Sequence, residues 1–445
     1  MSAAETIGPQ ALRARERLAR ELRRSLALIL AGGVGSRLNV LVRKRAKPAV
    51  PFGGIYRLID FTLSNVMNSG LERVGILTQY LPYSLTEHID DGRSWGLVGR
   101  SREVKILPPH QGTRGSDWYL GTADAIHRNL SYIHRHEPEL ILILSGDHIY
   151  SMDYSRMIDR HLRVGADASI AVRRVPLDQA SNFGTIHVDG DSFITGFEEK
   201  PQHPTSDLIS MGVYVFSAGK LVRRLEEITG AGNGVDFGHH IFPAMLDQGD
   251  RLYAYQWDGY WEDVGTIKAY FDSHMDLISP DSPIDLKEWA VRTNLDEVRV
   301  GDRPPAFIGQ GARIERSLVG RGARIAGRSA SPILSPGSSS NRAPVPPLDP
   351  DARRPHRRGA RLEQAILDKD VQVEREASIG LTGEIIPNHQ FPTHLDSGLT
   401  LVGKGATVAE RTKVGKNVVI FPLQVLAQSG RKVVESGETI GGEDD

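Results

Sequence analysis

The sequence predicts an α/β protein in two parts, a mainly parallel sheet over residues 25–275 followed by a C-terminal left-handed β-helix over 299–425. Three observations lead there. Short apolar runs alternate with helix-like stretches through the first part, the pattern of strands buried on both faces by crossover helices. A glycine-rich turn follows the first run. Beyond about residue 276 a short phrase recurs, with an aliphatic residue, then glycine, then another aliphatic about six positions on.

Leu26 to Leu30 is the first run, and Val74 to Thr78 the second. Leu140 to Leu144 (Leu-Ile-Leu-Ile-Leu) is the most apolar and ends in Ser145-Gly146-Asp147. Ser169 to Val172 and Val213 to Phe216 add two more. Tyr119 to His134 reads as one helix between them. This is a Rossmann-like arrangement, in which ligands bind beyond the carboxyl ends of the strands. In the second part, Ile308-Gly-Gln-Gly-Ala-Arg-Ile314, Val319-Gly-Arg-Gly-Ala-Arg-Ile325, Val402-Gly-Lys-Gly-Ala-Thr-Val408 and Val414-Gly-Lys-Asn-Val-Val-Ile420 repeat the phrase. Stacked aliphatics make the core of such a solenoid.

The flanks complete the division. Residues 1–24 form a helical extension, 276–298 a linker and 426–445 a tail. Residues 338–358 are rich in proline and arginine and cannot line a β-helix core. They read as an irregular insertion, or as repeat codons out of frame. GTC GTC GTC GAA CCG GGC GCC encodes Val-Val-Val-Glu-Pro-Gly-Ala, and read one base late it yields the sequence Ser338 to Pro344.

Composition excludes several classes. Lysine and arginine total 54 against 55 aspartates and glutamates, so charge gives no reason to expect nucleic acid or an anionic membrane as partner. The chain has no cysteine, which removes disulfides and thiolate metal sites. No apolar run is long enough to span a bilayer. The arginine-rich start carries Glu5, Glu16 and Glu21, unlike a transit peptide, and the expected location is the cytoplasm.

The loop Gly32-Gly33-Val34-Gly35-Ser36-Arg37 follows a strand, where glycines let backbone amides approach phosphates. It lacks the Gly-Lys-Ser/Thr of a Walker loop, and Leu38 stands where a dinucleotide fingerprint needs its third glycine. Arg37 and Lys47 can reach a triphosphate; the alternative for each is surface charge, which the Lys47-Pro48 pair after the loop disfavours. Asp147 ends a buried strand and Asp263 sits in a distant turn. Two such carboxylates suit one Mg²⁺, whereas one alone also reads as a helix cap.

Gly32-Gly33-x-Gly35-x-Arg37-Leu38 with Lys47-Pro48 resembles the signature of sugar-nucleotide pyrophosphorylases. Arg57-Leu-Ile-Asp60, Thr78-Gln79-Tyr80, Trp118-Tyr119-Leu-Gly121-Thr122-Ala123-Asp124, Ser145-Gly146-Asp147-His148, Glu199-Lys200-Pro201, Ser210-Met211-Gly212 and Tyr260-Trp261-Glu-Asp263 narrow the resemblance to bacterial glucose-1-phosphate adenylyltransferases. That resemblance implies a nucleotidyltransferase joining ATP and α-D-glucose 1-phosphate into ADP-glucose and diphosphate, for glycogen or another α-glucan. It implies Arg37, Lys47 and Asp147 as catalytic groups and Asp147 with Asp263 as Mg²⁺ ligands. Gly32, Gly33, Gly35, Gln79 and Trp118 map onto the nucleotide site. Tyr119, Gly184, Glu199, Lys200 and Ser210 map onto the glucose 1-phosphate site, and Asp236-Phe237 onto the wall that shapes it. Lys44, Arg45 and Arg57 map onto contacts for a sugar-phosphate activator and a nucleotide inhibitor, and the family assembles as homotetramers. Three positions depart from the family: Val34 stands where arginine is common, Pro51 where a basic residue or histidine is, and His239 where lysine is. The competing readings are a UDP- or dTDP-sugar pyrophosphorylase and a non-catalytic regulatory subunit of the same fold. A purely structural β-helix protein leaves more than half of the chain unexplained.

Overall fold

The computed structural model describes residues 9–109, 118–229, 235–296, 304–309, 312–325, 328–336, 338–340, 359–426 and 432–442. In chain order the elements that matter for the site are α1 (Pro9–Arg23), β1 (Ser25–Ala31), α2 (Leu58–Asn68), β2 (Arg73–Thr78), β3 (Glu103–Leu107), α3 (Thr122–His127), α4 (Leu130–His136), β4 (Leu140–Ser145) and β5 (His148–Tyr150). They continue as β6 (Ala168–Arg174), β7 (Gly184–Val188), β8 (Ile194–Glu199), β9 (Leu208–Ser217), β10 (Leu252–Gln256), β11 (Trp261–Asp263) and α5 (Ile267–Leu277).

The main sheet runs β8-β7-β9-β4-β1-β2-β3, with β6 on β9 and β10 beyond β6. Strands β4, β1, β2 and β3 are mutually parallel, with Ile29 level with Ile76 and Leu144. Strand β9 is antiparallel to both β4 and β6, so the sheet is mixed on that side. Alternation within β1 sends Ala27 and Ile29 to one core and Leu26 and Leu28 to the other, as expected of a strand covered on both faces.

The helix expected over Tyr119 to His134 is two helices. It breaks at Arg128–Asn129, and Tyr119 to Gly121 is not helical. The Asn129 amide donates to the Ala125 carbonyl and to the Tyr119 hydroxyl, a side-chain alternative to the helical ladder. The stretch expected as a linker is strapped to the catalytic part as far as it is described. Ile284 and Asn294 are buried. The Asn294 amide donates to the His88 carbonyl at 2.9 Å, and the Trp95 indole N–H to the Arg292 carbonyl at 3.2 Å.

The C-terminal part is the expected β-helix, with three parallel sheets of five, six and six short strands among the described residues. Its core is the repeated aliphatic column, including Leu334, Leu367, Val402 and Ile420. Two expected boundaries shift. The presumed tail contributes rungs, with Val433–Val434 pairing Lys413–Val414 and Thr439–Ile440 pairing Val419–Ile420. The presumed irregular stretch begins with a rung, Ser339–Ser340, set against Arg324–Ile325. The ladder is built from backbone groups that serine supplies as well as an aliphatic residue does, which is why the texture of the sequence hid both. Residues 1–8, 297–303, 341–358 and 443–445, on which parts of the domain reading fall, lie outside the described residues. One apolar cluster unites Leu38, Phe52, Phe61 and Tyr270 with Ile333, Ile366, Leu401 and Val419 of the solenoid. Among the described residues no helix is long and apolar enough to cross a membrane.

Candidate active site

The site lies beyond the carboxyl ends of β1 and β4. Gly35 has φ +65°, and a Cβ there would stand 3.0 Å from the Lys47 Cβ. A side chain at that position would be strained and would displace Lys47. Glycine therefore lets the Lys47 stem lie under the loop, and Lys47 is buried. Its Nζ stands 2.7 Å from Asp147 Oδ2 and 3.2 Å from Asp263 Oδ1. The second aspartate arrives by register, since β11 pairs antiparallel with β5 and places Asp263 opposite His148. His148 Nε2 is 3.6 Å from Asp147 Oδ1 and 3.7 Å from Asp263 Oδ1. Burial alone would raise the Asp147 carboxyl, but the Lys47 ammonium, His148 and the Ser145 hydroxyl hold it below the usual carboxylate range. Burial likewise opposes the Lys47 charge, and the two aspartates outweigh it, leaving the ammonium raised. Arg37 is exposed and has no hydrogen bond or ion pair among the described residues. Its Nη2 would lie 3.1 Å from a Cβ on Gly265, the residue two after Asp263.

Beside this trio opens a cavity of about 320 Å³, lined among others by Gly184, Glu199, Lys200, Ser210, Asp236 and Asp263. Glu199 has room because Gly184 and Gly238 have no side chains. A Cβ on either would come within 2.9 Å and 2.2 Å of Glu199 Oε2. The Lys200 ammonium donates to Glu199 Oε1 at 2.7 Å. Lys200 holds φ +47°, a left-handed conformation that costs a lysine on the order of 1 kcal/mol. Strain of that kind gathers at functional sites. Thr122 ties the opposite wall, since its N–H and hydroxyl both donate to Asp236 Oδ1. His239 also lines the cavity.

The glycine loop meets Gln79, whose Cβ would lie 3.1 Å from a Cβ on Gly32. Gln79 accepts from the Tyr119 N–H at 3.0 Å and donates to the Tyr119 carbonyl at 3.4 Å. Gly32, Gln79 and the Trp118–Tyr119 segment therefore form one wall, and Trp118 is half exposed. Tyr119 stands behind the cavity wall. Its phenol bonds Asn129 and the Leu107 carbonyl and packs on the apolar core, and it does not line the cavity. Nor do the three expected regulatory residues share one open patch. Lys44 is exposed, whereas Arg57 is buried and donates to the Ser84 carbonyl at 2.9 Å. Arg45 is buried and forks onto both oxygens of Asp368 at 2.9 Å. Residues that sequence reasoning did not single out are His148, Tyr214, Trp261 and Thr122, all of which line the cavity. Thr122, His148 and Trp261 lie inside the motifs given above and Tyr214 inside the apolar run Val213 to Phe216, and only the folded geometry shows which of these side chains turn inward.

Among the described residues no group of three or more histidines and carboxylates forms a closed metal cage. Two converging carboxylates nonetheless fit Mg²⁺, which keeps waters and takes substrate phosphate oxygens rather than an all-protein shell.

The description of nucleotidyl transferases matches residues 26–279. Over 397 residues the chain is 41% identical to the glucose-1-phosphate adenylyltransferase of Lachnospira eligens, covering 89% of this chain and 92% of that one. The chain belongs to the glucose-1-phosphate adenylyltransferase family. The adenylyltransferase of Acetivibrio thermocellus is 39% identical over 425 residues, 93% of this chain and 98% of its own. That of Bacillus cereus is 47% identical over 316 residues, 70% and 82% of the two chains. Family membership thus rests on both the α/β part and the β-helix, and it disfavours the UDP- and dTDP-sugar and non-catalytic readings.

Proposed function

We propose that this protein is a glucose-1-phosphate adenylyltransferase, converting ATP and α-D-glucose 1-phosphate to ADP-glucose and diphosphate for glycogen or another α-glucan. The observation that carries the reading is the meeting of Lys47, Asp147 and Asp263 at the mouth of a hexose-sized cavity. Full-length relatives of that name support it. Glu199 receives sugar hydroxyls, and Lys200 and Ser210 hold the sugar phosphate, whose oxygen attacks the α-phosphorus of ATP in line. Arg37 and Lys47 stabilise charge on the triphosphate, and the loop amides at Gly32, Gly33 and Gly35 seat it. Gln79 and Trp118 flank the nucleotide. Mg²⁺ held by Asp147 and Asp263 supplies charge neutralisation at the phosphates when bound. No covalent enzyme intermediate is required. The assembly is a homotetramer in the cytoplasm, and exposed Lys44 contributes to the binding of an anionic regulator.

The test measures diphosphate release from glucose 1-phosphate with ATP, UTP and dTTP in parallel. ATP is expected to lead. Asp147→Ala is expected to lower kcat by on the order of 10³ with an unchanged far-ultraviolet circular dichroism spectrum. Preference for UTP or dTTP overturns the nucleotide assignment, and near-normal turnover of Asp147→Ala overturns the role of Asp147.

A further inference from the structure

The proposed chemistry asks Lys47 to meet a triphosphate, yet its ammonium lies between the two carboxylates assigned to the metal. Nζ is 2.7 Å from Asp147 Oδ2 and 3.2 Å from Asp263 Oδ1. The arrangement is enclosed. The lysine side chain is 9% exposed, its stem is wedged beneath Gly35, and its backbone opens a tight turn in which the Val50 N–H donates to the Lys47 carbonyl at 3.0 Å. His148 Nε2 approaches the same pair, 3.6 Å from Asp147 Oδ1 and 3.7 Å from Asp263 Oδ1, the second being the oxygen that Lys47 also faces.

A magnesium ion bound to these oxygens sits about 2.1 Å from each. An ion so bound takes the same two oxygens, Asp147 Oδ2 and Asp263 Oδ1, that Nζ now engages. The electrostatics set the two cations against each other. Two carboxylates balance two positive charges, and an ammonium held beside a divalent ion in a buried site is strongly repelled. We propose that Lys47 is the resident counter-ion of the Asp147–Asp263 pair and vacates it when a divalent cation arrives with the nucleotide. The ammonium then swings from the carboxylates to the phosphates. Cation exchange and the delivery of Lys47 are thus one event. The nucleotide-free enzyme holds its carboxylates together without metal and binds divalent ions weakly. This inference rests on the assignment of the two aspartates to the metal.

Mn²⁺ alone is the probe. Its binding to the nucleotide-free, full-length protein is followed by loss of the free-ion electron paramagnetic resonance signal. Lys47→Met is expected to bind Mn²⁺ at least tenfold more tightly than the wild type, and adding Asp147→Asn is expected to abolish the gain. Lys47→Gln, which keeps a hydrogen-bond donor and loses the charge, is expected to shift in the same direction and serves if the methionine variant does not fold. Equal or weaker Mn²⁺ binding by the folded single variants overturns the exchange while leaving the metal assignment standing. If wild type with ATP retains no more Mn²⁺ than ATP does alone, and Asp147→Asn makes no difference, the metal assignment itself fails and the exchange with it.

Discussion

Gly238 is a residue whose importance is purely spatial. A Cβ there would stand 2.2 Å from Glu199 Oε2, closer than any real contact. The obstruction is the end of a flexible side chain, so the fold survives and the carboxylate is pushed aside. Gly238→Ala is expected to raise the KM for glucose 1-phosphate about tenfold, in line with the loss of a charge-assisted hydrogen bond. The KM for ATP should stay within about twofold. Steady-state kinetics with each substrate varied in turn checks this, and equal changes in both constants would refute it. Glu199 and Lys200 were legible because their motif is contiguous. Gly238 was legible only as the neighbour of Asp236-Phe237, since nothing local says that it faces a glutamate 39 positions earlier.

Among the elements, α5 shows how a helix joins the two parts. Thr266 caps it by accepting from the Ala269 N–H at 3.1 Å. One turn before its end His274 is buried against Phe52, with Nδ1 donating to the Tyr270 carbonyl and Nε2 accepting from the Gly53 N–H. Burial pulls its pKa down to about 4, partly offset by the Tyr270 carbonyl. The folded value lies below the unfolded one, so the unfolded chain takes up the proton more readily. Stability from this group is therefore complete above about pH 6.5 and is lost as pH falls toward 4, by up to about 3 kcal/mol. Urea midpoints measured across that window should fall, and should fall less steeply for His274→Gln. Parallel slopes would argue against the assignment. At this scale the strands were the most readable feature, since an apolar run such as Leu140 to Leu144 signals burial without knowledge of its neighbours. The break at Asn129 and the rungs at Ser339–Ser340 and Val433–Val434 were not readable. The first depends on a bond to Tyr119, and the others on backbone pairing with strands already in place.

Across the whole molecule the two parts are joined by an apolar seam and by the buried ion pair of Arg45 and Asp368. Arg45 and Asp368 are 4% and 1% exposed. Removing one partner strands the other charge in a dry interior, whereas replacing both with apolar residues need not. Arg45→Met is expected to cost about 3–5 kcal/mol, and Arg45→Met with Asp368→Leu to recover most of it. Chemical denaturation of the three proteins checks the order. A double variant no more stable than the single one would mean that the pair itself, and not the stranded aspartate, sets the cost. What could be read along the chain was the alternation of strand and helix, the solenoid repeat and the glycine loop, because periodicity and turn chemistry are local. Folding alone settles which charges meet. Lys47 reaches Asp263 across 216 positions and Arg45 reaches Asp368 across 323, and no local pattern encodes a pairing made by sheet register and by the docking of one part on the other.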